Sequence, residues 1–278
     1  MIRLLAVDID GTLLDGRGRL PDAHRDALLA ASARGIEVAL VTGRAFHFAK
    51  PVADLLPIPL TLIVNNGAVV KRKSGETERR LVLARAAARQ ILAETVAYDD
   101  SVALVFDRTD DRQIVFEHMD WSHVNRRGYY EKNKAFIARA APLSDVLSDD
   151  PIQVMFNGGV EAMRTLVASL RSLPIAADYT VAVTEYEARD FSLIDVNGAG
   201  CSKGSTLAGW AATRGMTAEE VMAVGDNLND VEMLDFAGIA VVMGNATATI
   251  KARGYHLTGS NDENGLASAI ERFAFGSS

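Results

Sequence analysis

Continuous apolar runs alternate with amphipathic stretches over the first third of the chain, and the same rhythm returns in its last third. The runs in "LLAV", "IEVALVTGR" and "LTLIVNNGAVV" do not alternate with polar residues, so each predicts a strand covered on both faces. Pro21 opens an amphipathic helix that Gly35 closes, and a second helix follows Arg44 and ends before Pro57 and Pro59. After the middle of the chain, "SKGSTLAGWAATRG" predicts a helix from near Lys203 to Gly215. "EVMAVGDNLND" and "GIAVVMGNA" predict strands with loops, and a final helix starts near Asn264. Strand and helix in turn, with Gly and Pro between them, predict an α/β fold built on a doubly wound parallel sheet.

The middle third has another grammar. From about Leu83 a helical stretch, "LARAAARQILAETVA", leads into "VALVFD" and "QIVFEH", which predict adjacent antiparallel strands. A polar stretch rich in Arg, Lys, Asn and Tyr follows, then a strand, a helix and the two strands "YTVAVTEY" and "FSLIDV". Runs of strands with segregated helices predict an α+β domain. The expected organisation is a core of residues 1–82 and 197–278 carrying an inserted α+β domain, residues 83–196.

The predicted strands of the core end in polar tips. The first ends on Asp8 and Asp10, the second on Thr42, Gly43 and Arg44, the third on Asn65-Asn66-Gly67, and the strand after the insertion on Asp226, Asn229 and Asp230, while Lys203 opens a helix. In a parallel sheet all four tips lie at one edge, in the crevice where ligands bind. Several acids in a small space repel one another unless a cation sits among them, and oxygen ligands without His or Cys favour Mg²⁺. A threonine hydroxyl, a lysine and free backbone amides beside them hold anions. Metal, anion clamp and a carboxylate nucleophile together point to phosphoryl transfer.

Composition narrows the partners. A net charge of −7 with no basic block argues against nucleic acid and against a basic membrane patch, and no apolar run reaches the length of a membrane span. Cys201 is the only cysteine, which excludes a disulfide framework and a cysteine-cluster metal site. With no secretory leader pattern at the N-terminus, the expected location is cytoplasmic. The first strand lacks the Gly-x-Gly-x-x-Gly turn of a dinucleotide-binding oxidoreductase.

"DIDGT", "VTGR", "SKG" and "VGDNLND", in that order, resemble the four motifs of the haloacid dehalogenase superfamily of phosphatases. The insertion between the second and third motifs, together with "NNGAVV", "VVMGNATATIK" and "NDENGLASAI", is similar to the Cof-type, class IIB capped group. The resemblance implies that Asp8 attacks phosphorus and becomes an aspartyl phosphate, with Asp10 as acid and then base. It implies Mg²⁺ on the Asp8 carboxylate, the Asp10 carbonyl and the Asp226 carboxylate, supported by Asp230. Thr42, the Gly43 amide, Lys203 and Asn229 would hold the phosphoryl oxygens. The implied activity is a Mg²⁺-dependent phosphatase of small phosphorylated metabolites, sugar phosphates first. A phosphomutase and a phosphate-binding protein without turnover are the alternatives.

Neighbouring residues admit plainer roles. Thr12 either shapes its turn by bonding Asp10 or contacts the phosphoryl group, and Arg44 either pairs with the inserted domain or meets substrate. Asn65 and Asn66 fit turn and core hydrogen bonding better than ligand binding. Arg112, Arg126, Arg127, Tyr129, Tyr130 and Lys132 of the insertion fit a solvated face.

Overall fold

The computed structural model describes residues 1–108 and 112–276. Two compact units divide the chain, one of Met1–Arg79 with Ser202–Ser278 and one of Arg80–Cys201.

The first unit begins with β1 (Leu4–Val7), α1 (Asp22–Ala33), β2 (Glu37–Val41), α2 (Phe46–Asp54) and β3 (Thr61–Val64). In "LTLIVNNGAVV" the strand ends, as expected, on Asn65–Gly67, where a turn sends the chain back as β4 (Val69–Arg72), antiparallel to β3, and β5 (Thr77–Arg80) follows at the sheet edge.

In the second unit lie α3 (Arg85–Glu94), β6 (Val102–Val105), β7 (Ile114–Phe116), α4 (Val124–Asn133), β8 (Ile137–Arg139), β9 (Gln153–Gly158), α5 (Val160–Ser172), β10 (Tyr179–Tyr186) and β11 (Phe191–Gly198). Among the described residues these strands form one sheet in the order β10-β11-β9-β6-β7-β8, antiparallel except for β7 with β8. One face of that sheet presents Leu104, Val154, Phe156, Ile194 and Val196 to Ala88 and Ile91 of α3 and to Met163, Leu166 and Leu170 of α5, making the unit's own core. The polar stretch read as a solvated face includes the helix α4, on which Arg127 and Lys132 are exposed and Arg126 is buried.

The chain then returns to the first unit with α6 (Lys203–Thr213), β12 (Val221–Gly225), α7 (Val231–Phe236), β13 (Ile239–Val242), α8 (Ala248–Lys251), β14 (His256–Leu257) and α9 (Gly265–Ala269). Its sheet has the order β14-β13-β12-β1-β2-β3-β4-β5 among the described residues. From β14 to β3 every pair is parallel. Successive strand residues point to opposite faces, so Leu4, Ala6, Val41 and Ala223 pack on Leu207 and Trp210 of α6 and on Met233 of α7. Leu5, Val7, Val38 and Leu40 are as fully buried on the other face, the side of α1 and α9.

The order of the sheet reverses at β1, which lies between β2 and β12. Leu4 aligns with both Val221 and Glu37, and Val7 with both Val224 and Leu40. The three strands therefore finish level, and the loops that follow them share one edge. Among the described residues no helix is long and apolar enough to cross a membrane.

Buried His24 of α1 supports the loop after β1. Its Nδ1 donates to the Leu13 carbonyl at 2.9 Å, while Nε2 has no partner. Burial pushes its pKa below the ordinary value, against the pull of the Leu13 carbonyl and Asp15. A lowered imidazole pKa means that the unfolded chain takes up protons first as pH falls. Stability is therefore whole above about pH 6.5 and declines below it. The His24→Asn variant is expected to lose less melting temperature than the parent between about pH 7.5 and pH 5.5, as measured by thermal unfolding at both.

Candidate active site

The site grows from the level ends of β1, β2 and β12 and from the start of α6. Asp8 follows β1 directly and is almost wholly buried, its N–H donating to the Val224 carbonyl at 3.1 Å. Lys203, also buried, donates from Nζ to Asp8 Oδ1 and to Asp230 Oδ1, each at 2.6 Å. Ser202 fixes the start of α6 as a capping box: its hydroxyl accepts from the Ser205 N–H while the Ser205 hydroxyl accepts from the Ser202 N–H.

Asp230 spends its second oxygen on the loop after β12, where Oδ2 accepts from the N–H groups of Asp226 and Asn227, each at 2.9 Å. It thus ties the lysine to the Asp226 loop. Asp226 accepts from the Thr12 hydroxyl at 3.3 Å and from the Asn245 amide at 3.3 Å. Thr12 therefore bonds Asp226 and not Asp10. Asn245 was not singled out from the sequence, although it lies in "VVMGNATATIK"; its amide also donates to the Gly11 carbonyl at 2.8 Å.

Carboxylate oxygens of Asp8, Asp226 and Asp230 lie within 4.8 Å of one another. Burial pushes the Asp8 carboxyl up to about 7; Lys203 pulls the other way, and Asp230 and Asp10 add to the rise. Asp226 is raised well above the ordinary carboxylate range by burial and then by Asp8 and Asp230. Burial opposes the charge of Lys203, but Asp230 and Asp8 more than offset it and lift its pKa. No lysine or arginine pairs with Asp226 among the described residues. A Cβ at Gly11, where φ is +81°, would collide with the Asp226 carboxylate, so only glycine leaves that carboxylate its place. Hard oxygen donors, an acid without a cationic partner and a cradle kept open by glycine fit a divalent metal ion.

Arg44 pairs with Asp10 of its own unit. Its Nε donates to Asp10 Oδ2 at 2.7 Å and its Nη2 to Asp10 Oδ1 at 2.6 Å. The guanidinium also lies over the Phe48 ring and bonds the Phe48 carbonyl. Thr42 is buried, and its hydroxyl accepts from the Arg44 N–H at 3.1 Å. Asn229 donates from Nδ2 to Asn66 Oδ1 at 2.8 Å. Every residue expected at the site from the sequence lies in these neighbouring loops of the first unit. In the second unit the expectation for Arg126 is corrected: its guanidinium binds the side-chain and main-chain oxygens of Asn157. Nearby, Trp121 stacks on Tyr129 at 6.5 Å and meets Tyr130 at 5.3 Å.

A family model described as haloacid dehalogenase-like hydrolase matches residues 5–270. The chain belongs to that family. Among curated members it is 28% identical over 275 residues to a 5-amino-6-(5-phospho-D-ribitylamino)uracil phosphatase of Bacillus subtilis, covering 98% of this chain and 96% of that one. A haloacid dehalogenase-like hydrolase from B. subtilis superposes with a TM-score of 0.83 at 25% identity, over 98% of this chain and 100% of the other. A subclass IIB sugar phosphatase of the superfamily shares the fold at a TM-score of 0.77 and 22% identity, over 98% of this chain and 99% of that one.

Lys203 is the only counter-charge bonded to Asp8 and Asp230 among the described residues. Removing one partner of a buried ion pair strands the other. Lys203→Met is expected to cost about 3–5 kcal/mol of stability, measured by denaturant unfolding at neutral pH.

Proposed function

We propose that the chain is a Mg²⁺-dependent phosphomonoesterase of small phosphorylated metabolites, sugar phosphates first, working through an aspartyl phosphate on Asp8. The observation that carries this reading is the buried Lys203 bridging Asp8 and Asp230 beside an Asp226 that pairs with no lysine or arginine among the described residues. Lys203 holds Asp8 Oδ1 and so orients the carboxylate. An oxygen of Asp8 attacks phosphorus, forming an O–P bond as the bond to the ester oxygen breaks, and Asp10 gives the leaving oxygen its proton. Water then attacks the phosphoryl group, Asp10 takes its proton, and the bond to Asp8 breaks to release phosphate.

Both oxygens of Asp10 accept from Arg44 in the arrangement seen. Each of these oxygens keeps a second lone pair, on which the proton for the leaving oxygen can sit while the guanidinium stays in place. The Thr42 hydroxyl, the Gly43 N–H, Lys203 and Asn229 are the donors for the phosphoryl oxygens. Mg²⁺ would be held by the carboxylates of Asp8 and Asp226 with the Asp10 carbonyl, Asp230 fixing the Asp226 loop; when bound it neutralises charge on the phosphoryl group.

A ring-bearing phosphate ester is the second reading. It is favoured by the Trp121, Tyr129 and Tyr130 rings gathered in the inserted unit and by a relative named for a phosphoribitylaminouracil. Phosphate release across a panel of sugar phosphates and ring-bearing phosphates, with and without Mg²⁺, decides between them.

Asp8→Asn is expected to lower kcat by more than about 10⁴-fold, to form no phosphoprotein and to keep the parent's circular dichroism. Parent-like turnover would exclude the aspartyl phosphate. Mg²⁺ must also displace the proton that burial holds on Asp8 up to about 7. Its stabilisation of the fold is therefore expected to be larger at about pH 8 than at about pH 6, read as the shift in melting temperature on adding the ion.

A further inference from the structure

The turn Asn65-Asn66-Gly67 takes no part in the chemistry derived so far, yet it touches three of the loops that build the site. The N–H of Asn65 donates to the Arg44 carbonyl at 2.9 Å and that of Asn66 to the Thr42 carbonyl at 3.0 Å, so the turn holds both ends of Thr42-Gly43-Arg44. The Gly67 carbonyl accepts from the Thr206 hydroxyl at 2.9 Å, on the first turn of α6 beyond Lys203. A Cβ at Gly67 would collide with the Ser202 carbonyl. The side chain of Asn66 reaches the remaining loop, where its Oδ1 accepts from Asn229 Nδ2 at 2.8 Å.

The backbone is unusual there. Asn65, Asn66 and Gly67 have φ of +50°, +53° and +100°, three left-handed residues in succession. Such a conformation costs free energy for any side chain, less for asparagine than for most. Glycine would make the turn more cheaply, so the turn alone does not account for Asn66. Its amide is also fully buried, which is costly unless bonded, and it is bonded to a residue 163 positions away. A planar amide has two N–H groups in fixed relation. Once one N–H of Asn229 is given to Asn66, the direction of the other follows.

We propose that Asn66 is a positioning residue of the phosphoryl clamp: its side-chain carbonyl sets the Asn229 amide, and its N–H holds the Thr42 loop, so that both donors face the transferred group together. This rests on the phosphatase reading. Asn66 acts through Asn229 and Thr42, both donors of the anion clamp, so its expected effect is on anion binding and not on the metal requirement.

The test is a double-mutant cycle of Asn66→Gly with Asn229→Ala. Asn66→Gly keeps the left-handed turn and removes the amide. It is expected to lower kcat/KM about 10- to 100-fold, to weaken inhibition by orthovanadate by a similar factor, and to leave the Mg²⁺ concentration for half-activation unchanged. In the Asn229→Ala background the same change is expected to cost less than about threefold. If Asn66→Gly does not fold, Asn66→Ser runs the same cycle. Factors that multiply in the double variant, parent-like kcat/KM in the single one, or a shifted Mg²⁺ requirement would overturn the proposal. An active, vanadate-sensitive parent with an additive cycle defeats the Asn66 role alone. A parent that neither hydrolyses a phosphate ester nor binds vanadate defeats the phosphatase reading and this role with it.

Discussion

One buried ammonium organises the edge of the sheet where the acids gather. Lys203 is nearly inaccessible and lies 2.6 Å from both Asp8 and Asp230. It links the end of β1 to the loop after β12 through the first residue of α6, three segments far apart in sequence. Charge counting shows what the arrangement still lacks. Three carboxylates, Asp8, Asp226 and Asp230, against one ammonium leave two negative charges in a buried space. Burial and mutual repulsion accordingly lift Asp8 and Asp226 toward their neutral forms. A divalent cation would balance that charge without adding a proton, so the electrostatics of the cluster and the chemistry of its oxygen donors fit the same kind of ion. Asp10 stands outside this imbalance because Arg44 pairs with it.

Backbone register makes that convergence possible. Leu4 aligned with Val221 on one side and Glu37 on the other brings the strand ends level, and parallel pairing puts all of them at one edge. The sheet reverses order at β1, so the loops after β1 and β12 open on opposite sides of a crevice. In a sheet buried on both faces, a slip by one residue would turn every apolar side chain to the wrong layer. The same apolar runs that stabilise the core therefore also set the spacing of the acids.

Much of this was legible in the sequence because it is local. Apolar runs marked β1, β2, β12 and β13, and polar, Gly-bearing tips marked the residues that follow them. Pairing between tips was not legible. Arg44 with Asp10, Thr12 with Asp226 and Asn245 with Gly11 are contacts between distant segments, and no periodicity encodes which side chain a guanidinium or hydroxyl will meet. The turn at Asn65-Asn66-Gly67 was legible because asparagine reads as a turn residue; the return of the chain as β4 and the left-handed backbone inside the core were not. In the insertion, α4 carries few apolar residues and has no clear face in its sequence. It is held from outside itself by Arg126 on Asn157 and by aromatic contacts to Trp121. Propensity gave no signal where tertiary contacts supply the stability.

The place of the insertion makes a further demand on the start of α6. The chain leaves the inserted unit at Cys201 and re-enters the first unit at Ser202, so the residue on which the acid cluster depends is only two positions past the crossing. Movement of that linker would reach Lys203 directly if the helix start were loose. It is held in several independent ways. The reciprocal bonds of Ser202 and Ser205 close the capping box, and the Ser202 hydroxyl also bonds Glu232. Gly204 packs against the Glu232 backbone so closely that no Cβ fits. The Ser202 carbonyl meets the backbone of Gly67 with the same lack of room. The capping box closes the helix start on itself, and the other restraints join it to Glu232 and Gly67 of its own unit. The inserted unit thus ends two residues before Lys203, while the helix start that carries the 2.6 Å contacts to Asp8 and Asp230 is fixed by bonds of its own unit.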